Sequence, residues 1–156
     1  MKRLMCVLAI VLGLVAITIT PVTADSDAQS VTGAAKGLFG PGAALGAVEL
    51  QGVELGTGVF IEVDGSASGT FHATLQGSSL GLPQEITLEG KVSEGSVGAD
   101  GRATFSGTAS LDLGDGGPPL LGIAFSVIAG ADGVALAIDL TPLPAAGLTA
   151  GAVTIE

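Results

Sequence analysis

The chain has 156 residues, with 15 carboxylates against five Lys and Arg, a net charge of −10, and five Phe accompanied by neither Trp nor Tyr. A surface this acidic repels phosphate backbones and anionic lipid headgroups, which excludes nucleic acid and bare membrane as natural partners. The missing Trp and Tyr remove the large amphipathic rings on which sugar sites commonly rely.

The first 24 residues have the three parts of a secretory signal. Lys2 and Arg3 make a basic start, Leu4 to Ile19 is an apolar run broken by Gly13 and Thr18, and Val22-Thr23-Ala24 offers small residues for cleavage. The run is about 16 residues, short of the roughly 20 that a bilayer-spanning helix needs. Cleavage after Ala24 is the natural reading, with an uncleaved anchor as the alternative. The product is then secreted or periplasmic. Cys6 lies inside the run rather than after it, so it reads as an apolar filler and not as a lipidation site. Cleavage leaves Lys36, Lys91 and Arg102, three cations against 15 carboxylates, a net charge of −12, and no cysteine. Disulfides, thiolate metal sites and thiol nucleophiles are thereby excluded from the mature chain.

Residues 25–45 carry small, flexible side chains without a sustained period and read as an arm or linker, with Leu38 and Phe39 free to tuck against a core. A single β domain is expected over residues 46–156. Val48, Leu50, Val53 and Leu55 belong to its first strand. Val59, Ile61 and Val63 then alternate with Phe60, Glu62 and Asp64, and Phe71, Ala73 and Leu75 oppose Thr70, His72, Thr74 and Gln76. That two-residue period belongs to a strand with one wet face. The clearest pair is Ile86 to Val92 and Ala103 to Leu113, a long hairpin closed by the loop from Glu94 to Gly101, with Glu89, Lys91 and Arg102 on its wet face.

Two prolines end this hairpin in GDGGPP, residues 114–119, because a proline cannot donate to a ladder. Leu121, Ile123, Phe125 and Val127 follow, and then Val134, Leu136, Ile138 and Leu140; Ala124, Ile128, Ala135 and Ala137 make their second faces apolar as well, so both strands read as buried on two sides. Leu148 to Ile155 is the last candidate strand. Asp-Gly pairs at 64–65, 100–101 and 132–133 read as primed hairpin turns. Seven or eight strands without a visible helix imply an all-β fold, an antiparallel up-and-down barrel or a closed β-sandwich.

Chemistry is thinly represented. His72 is the sole histidine, and Ser66, Ser68, Ser78 and Ser79 near it stand in no nucleophile motif. Glu62 and Asp64 sit side by side at a turn rather than across a cleft, which suits solvated edge charges better than glycoside hydrolysis. Asp112 and Asp115 lie in the glycine-rich loop DLGDGG, whose oxygens suit a weak calcium site if Asp100 or Asp132 joins them at one end of the molecule. No P-loop, dinucleotide fingerprint or zinc-protease helix occurs, so no cofactor is expected.

These observations favour an exported, non-catalytic β domain of the kind common among bacterial exported proteins, with a structural or protein-interaction role through self-association or a protein partner. One alternative is a small barrel holding an apolar small molecule against Ile123, Phe125, Val127, Leu136 and Ile138. A second is a weakly calcium-dependent surface or adhesion module using Asp112 and Asp115.

Overall fold

The computed structural model describes residues 28–156, and every regular element among them is a strand. In chain order these are β1 (Gln29–Leu38), β2 (Ala44–Leu45), β3 (Val48–Ile61), β4 (Ser66–Ser79), β5 (Leu82–Val97), β6 (Ala103–Asp112), β7 (Leu120–Gly130), β8 (Gly133–Ile138), β9 (Thr141–Pro142) and β10 (Ala146–Ile155). All ten are antiparallel in one sheet, and the bonding returns on itself, because β1 pairs with both β3 and β10. The order around the ring is β1, β3, β4, β5, β6, β7, β8, β10, with β2 added to β3 and β9 to β8. The expected all-β antiparallel fold is therefore present. The proposed signal segment, residues 1–24, lies outside the described residues.

Alternation decides which side of each strand turns inward. On β4, Phe71, Ala73 and Leu75 are buried while Thr70 and His72 are exposed; on β5, Ile86 and Leu88 face in while Glu89 and Lys91 face out. The inward sets form one apolar core with no buried polar or charged residue among those described. Its centre is aromatic. Phe71 stacks on Phe125, with ring centroids 5.7 Å apart and planes 15° apart, and meets Phe105 edge-on at 5.7 Å and 63°.

Three local readings change. Residues 29–38, expected to be an arm, form β1, whose Val31 and Ala35 are buried in the core. The sequence GAAKG there hides its period, because its inward positions are filled by small residues against neighbouring backbone. The late strands, expected to be buried on both faces, have a solvent side: Ile128 is 44 % exposed, Ala124 is exposed, and Ala135 and Ala137 are half-buried. Alanine on an outer face is apolar without needing cover, and that misleads a pattern reading.

The Asp-Gly turns also differ. Gly65 N–H donates to the Glu62 carbonyl and Gly101 N–H to the Gly98 carbonyl, each at 3.0 Å, with φ of +86° and +74° at the glycines and none positive at the aspartates. This is an ordinary turn followed by a left-handed glycine rather than a primed turn. The primed geometry occurs at Leu80-Gly81, between the paired residues Ser79 and Leu82, where φ is +53° and +79°.

Candidate functional site

Because neighbouring strands are antiparallel, the turns divide between two ends of the ring. The turns after β3, β5 and β7 share one end with the start of β1; those after β4, β6 and β8 share the other. This division decides which acidic loops meet. Strand β6 runs from one end to the other between Asp100 and Asp112, so Asp100 and Asp132 lie at one end and Asp112 and Asp115 at the opposite one. The shared-end arrangement expected for a calcium site is therefore not formed.

Three of these aspartates serve their own turns. Asp112 Oδ1 accepts from Gly114 N–H at 2.9 Å and Asp115 Oδ1 from Gly117 N–H at 2.9 Å. Asp100 Oδ1 accepts from Arg102 N–H at 3.2 Å, and its Oδ2 stands 4.0 Å from Arg102 Nε. Arg102 thus belongs to the turn rather than to the wet face of the hairpin. No group of three or more His, Cys, Asp or Glu converges on a metal position among the described residues.

Asp64 serves the turn between β3 and β4 in the same way. Asp64 Oδ1 accepts from the Ser66 hydroxyl at 2.6 Å and from Ser66 N–H at 2.9 Å. These bonds, the hydroxyl first, hold the Asp64 carboxyl below its ordinary range. Glu62 instead pairs its backbone with Ser66 across the turn. An open depression beside them is lined by Ser66, Ser93, Glu94, Ser96, Thr104 and Ser106.

His72 lies on the outer face of β4, directly across from Glu89 on β5. Its Nδ1 is 4.0 Å from Glu89 Oε1 and its Nε2 is 3.4 Å from Thr74 Oγ1. An open groove of about 580 Å³ runs over this face, bounded by Thr70, Lys91, Thr108, Ser110 and Leu121. Leu121, expected on the inward face of its strand, is 79 % exposed, because the chain kinks at Gly122, φ +71°. With His72 and Glu89 side chains 52 % and 73 % exposed, water competes for every contact they make.

Lys36 and Glu54 form the shortest ion pair among the described residues, 2.6 Å between Nζ and Oε1, as cross-strand partners on β1 and β3. Gln76 Nε2 donates to the same Oε1 at 3.3 Å. The Lys36 hydrogen bond is the main reason the Glu54 carboxyl titrates below its usual range. In the sequence Lys36 falls in a stretch without a period, and only the pairing of β1 with β3 reveals this partner.

The apolar candidates lie together. Phe125 pairs with Ile138 and Val127 with Leu136 across β7 and β8; all four are buried in the core, and Ile123 packs half-buried against it. Phe125 also occupies the space beside Gly90, where an added Cβ would come within 2.5 Å of its ring. No protein-family model, curated protein or solved structure matches the chain.

Proposed function

We propose that the chain is an exported, non-catalytic domain, built as a closed β-barrel, that acts through protein contacts. The observation that carries this reading is the interior. Phe71, Phe105 and Phe125 pack against one another and against the aliphatic side chains of all eight ring strands, so the ring encloses side chains where a site would need space. The outer faces of β4, β5 and β6, with Thr70, His72, Glu89, Lys91, Thr108 and Ser110, suit water rather than lipid, since a membrane barrel carries an apolar band outside. The residue types that perform catalysis are spread over these faces and over opposite ends of the ring. What remains for function is surface.

Native mass spectrometry of residues 25–156 purified from an expressing cell tests the reading. The expected spectrum contains polypeptide alone. A bound apolar small molecule that survives purification would overturn it in favour of the barrel-ligand alternative, with Phe125, Val127, Leu136 and Ile138 as the residues to examine first. Added calcium is expected to leave the melting temperature unmoved; a rise at millimolar calcium would favour the adhesion alternative and Asp112 and Asp115.

A further inference from the structure

Large apolar side chains are exposed unevenly over the ring. Among the described residues Leu38, Leu80, Leu82, Leu120, Leu121 and Leu140 face water, and all belong to the end that holds the turns after β4, β6 and β8. Leu38 closes β1, Leu80 and Leu82 make and follow the β4–β5 turn, Leu120 and Leu121 open β7, and Leu140 follows β8. The opposite end exposes Val63 alone in this class, since Phe60 and Ile128 lie on outer strand faces. Single exposed apolar residues are ordinary on a protein surface, whereas a set gathered at one end marks a contact.

These leucines do not line an entrance. At the same end the segment from Phe39 to Ala47 folds back on the core: Ala43 is buried, Phe39 and Leu45 pack against the interior, and Phe39 N–H donates to the Gln51 carbonyl at 3.0 Å and Leu50 N–H to the Ala43 carbonyl at 2.8 Å. Nor does folding call for them. Leu80 is fully exposed at an apex with φ +53°, and Leu140 is 92 % exposed directly after Asp139, φ +55°. Turn chemistry favours Gly, Asn or Asp at such apices, so a leucine there answers to something outside the monomer.

Charge decides what can cover this end. Glu49, Glu85, Asp112, Asp115 and Asp139 interleave with the leucines around it, and all are exposed. Among the described residues no cation stands with them: Lys36 is held by Glu54 on the outer face of β1 and β3, Lys91 lies midway along β5, and Arg102 is at the opposite end beside Asp100. A second copy set end to end would bring like charges together, and an anionic lipid surface is repelled in the same way. Apolar side chains flanked by Lys or Arg complement both features at once.

We propose that this end docks a cationic amphipathic segment of another protein, its apolar side chains among the leucines and its Lys or Arg side chains against the carboxylates. The proposal rests on the protein-contact reading and names the surface and the partner's chemistry. Leucine contact supplies the affinity, and the carboxylates select the sign of the partner and speed its approach.

Nuclear magnetic resonance titration tests it, on protein purified from cells expressing the full chain, at about 150 mM salt so that long-range attraction is screened. The probe is a synthetic amphipathic peptide of Leu and Lys, with one control peptide in which Glu replaces Lys and another in which Ser replaces Leu. The Leu–Lys peptide alone is expected to bind, shifting amide signals at Leu38, Leu80 to Leu82, Leu120, Leu121 and Leu140. The double variant Leu80→Asn, Leu140→Asn is expected to bind it about tenfold more weakly, and Val63→Asn at the opposite end as tightly as the wild type. No binding overturns the proposal, as does equal binding of the Ser control or a set of shifts spread over every acidic face. Self-association through these leucines overturns the partner named here and leaves the protein-contact reading standing. Binding of phosphatidylcholine vesicles through the same leucines, lost in the double variant, overturns both.

Discussion

At Gly90 the core leaves no room for a methyl group. The Phe125 ring, held flat against Phe71, would sit 2.5 Å from an added Cβ, so Gly90→Ala must push the stacked pair apart. Overpacking of this kind costs about 1–3 kcal/mol, and the urea midpoint is expected to fall accordingly. Thr57 presents the opposite defect. Its hydroxyl is sequestered without a hydrogen-bond partner on β3, opposite Phe71 on β4 and Gly33 on β1. Replacing it with valine keeps the shape and removes the unmatched polar atom. Thr57→Val is expected to raise stability by ~1 kcal/mol in the same titration. Neither defect is legible from the sequence, where Gly90 looks like any of 26 glycines and Thr57 like a normal strand residue.

The strands show where the alternation of side chains can be trusted. It located β4, β5 and β6, whose outer faces carry Thr, His, Glu, Lys and Ser and so contrast with the core. It missed β1, where Gly33, Ala34, Ala35 and Gly37 give almost no contrast although Val31 is fully buried. Because β1 bonds to both β3 and β10, a chain truncated to residues 46–156 loses the strand that joins the ends of the sheet. Such a fragment is expected to melt without a cooperative transition by circular dichroism, where the chain from residue 25 melts sharply. The β4–β5 turn yields a gain instead. Leu80 is fully exposed with φ at +53°, a conformation that costs an ordinary L-residue about 1–2 kcal/mol. Asparagine tolerates that geometry, and Asn-Gly is the preferred pair for a primed turn. Leu80→Asn is therefore expected to stabilise by ~1 kcal/mol, since no packing is lost.

On the scale of the molecule the charge is the dominant fact. The chain carries −10, and among the described residues its carboxylates are spread over both ends and the outer faces, so they repel one another across the whole surface. Raising the salt from about 10 mM to about 150 mM shortens the reach of that repulsion from roughly 30 to roughly 8 Å. The melting temperature is expected to rise over this range, and a fall would mean that ion pairs such as Lys36–Glu54 outweigh the repulsion. The same scale explains why the acidic loops could not be grouped from the sequence. Whether Asp100 and Asp112 meet depends on the fact that a strand lies between them, so that adjacent loops in the chain become opposite ends in space. Fold class needs only the period of each strand, whereas a site needs the pairing of all of them.

Val31 rests against Ile155, so the first strand described and the last lie side by side. A ribosome or a secretion channel delivers these two partners at opposite times. Until β10 emerges, β1 has its β3 neighbour but lacks the other, and the half-built sheet keeps an unfinished flank. Contacts so distant along the chain slow folding, because a long loop must close before they form. The completed ring therefore forms only once β10 has been made, and a nascent chain stalled before Ile155 would be a natural substrate for chaperones and proteases.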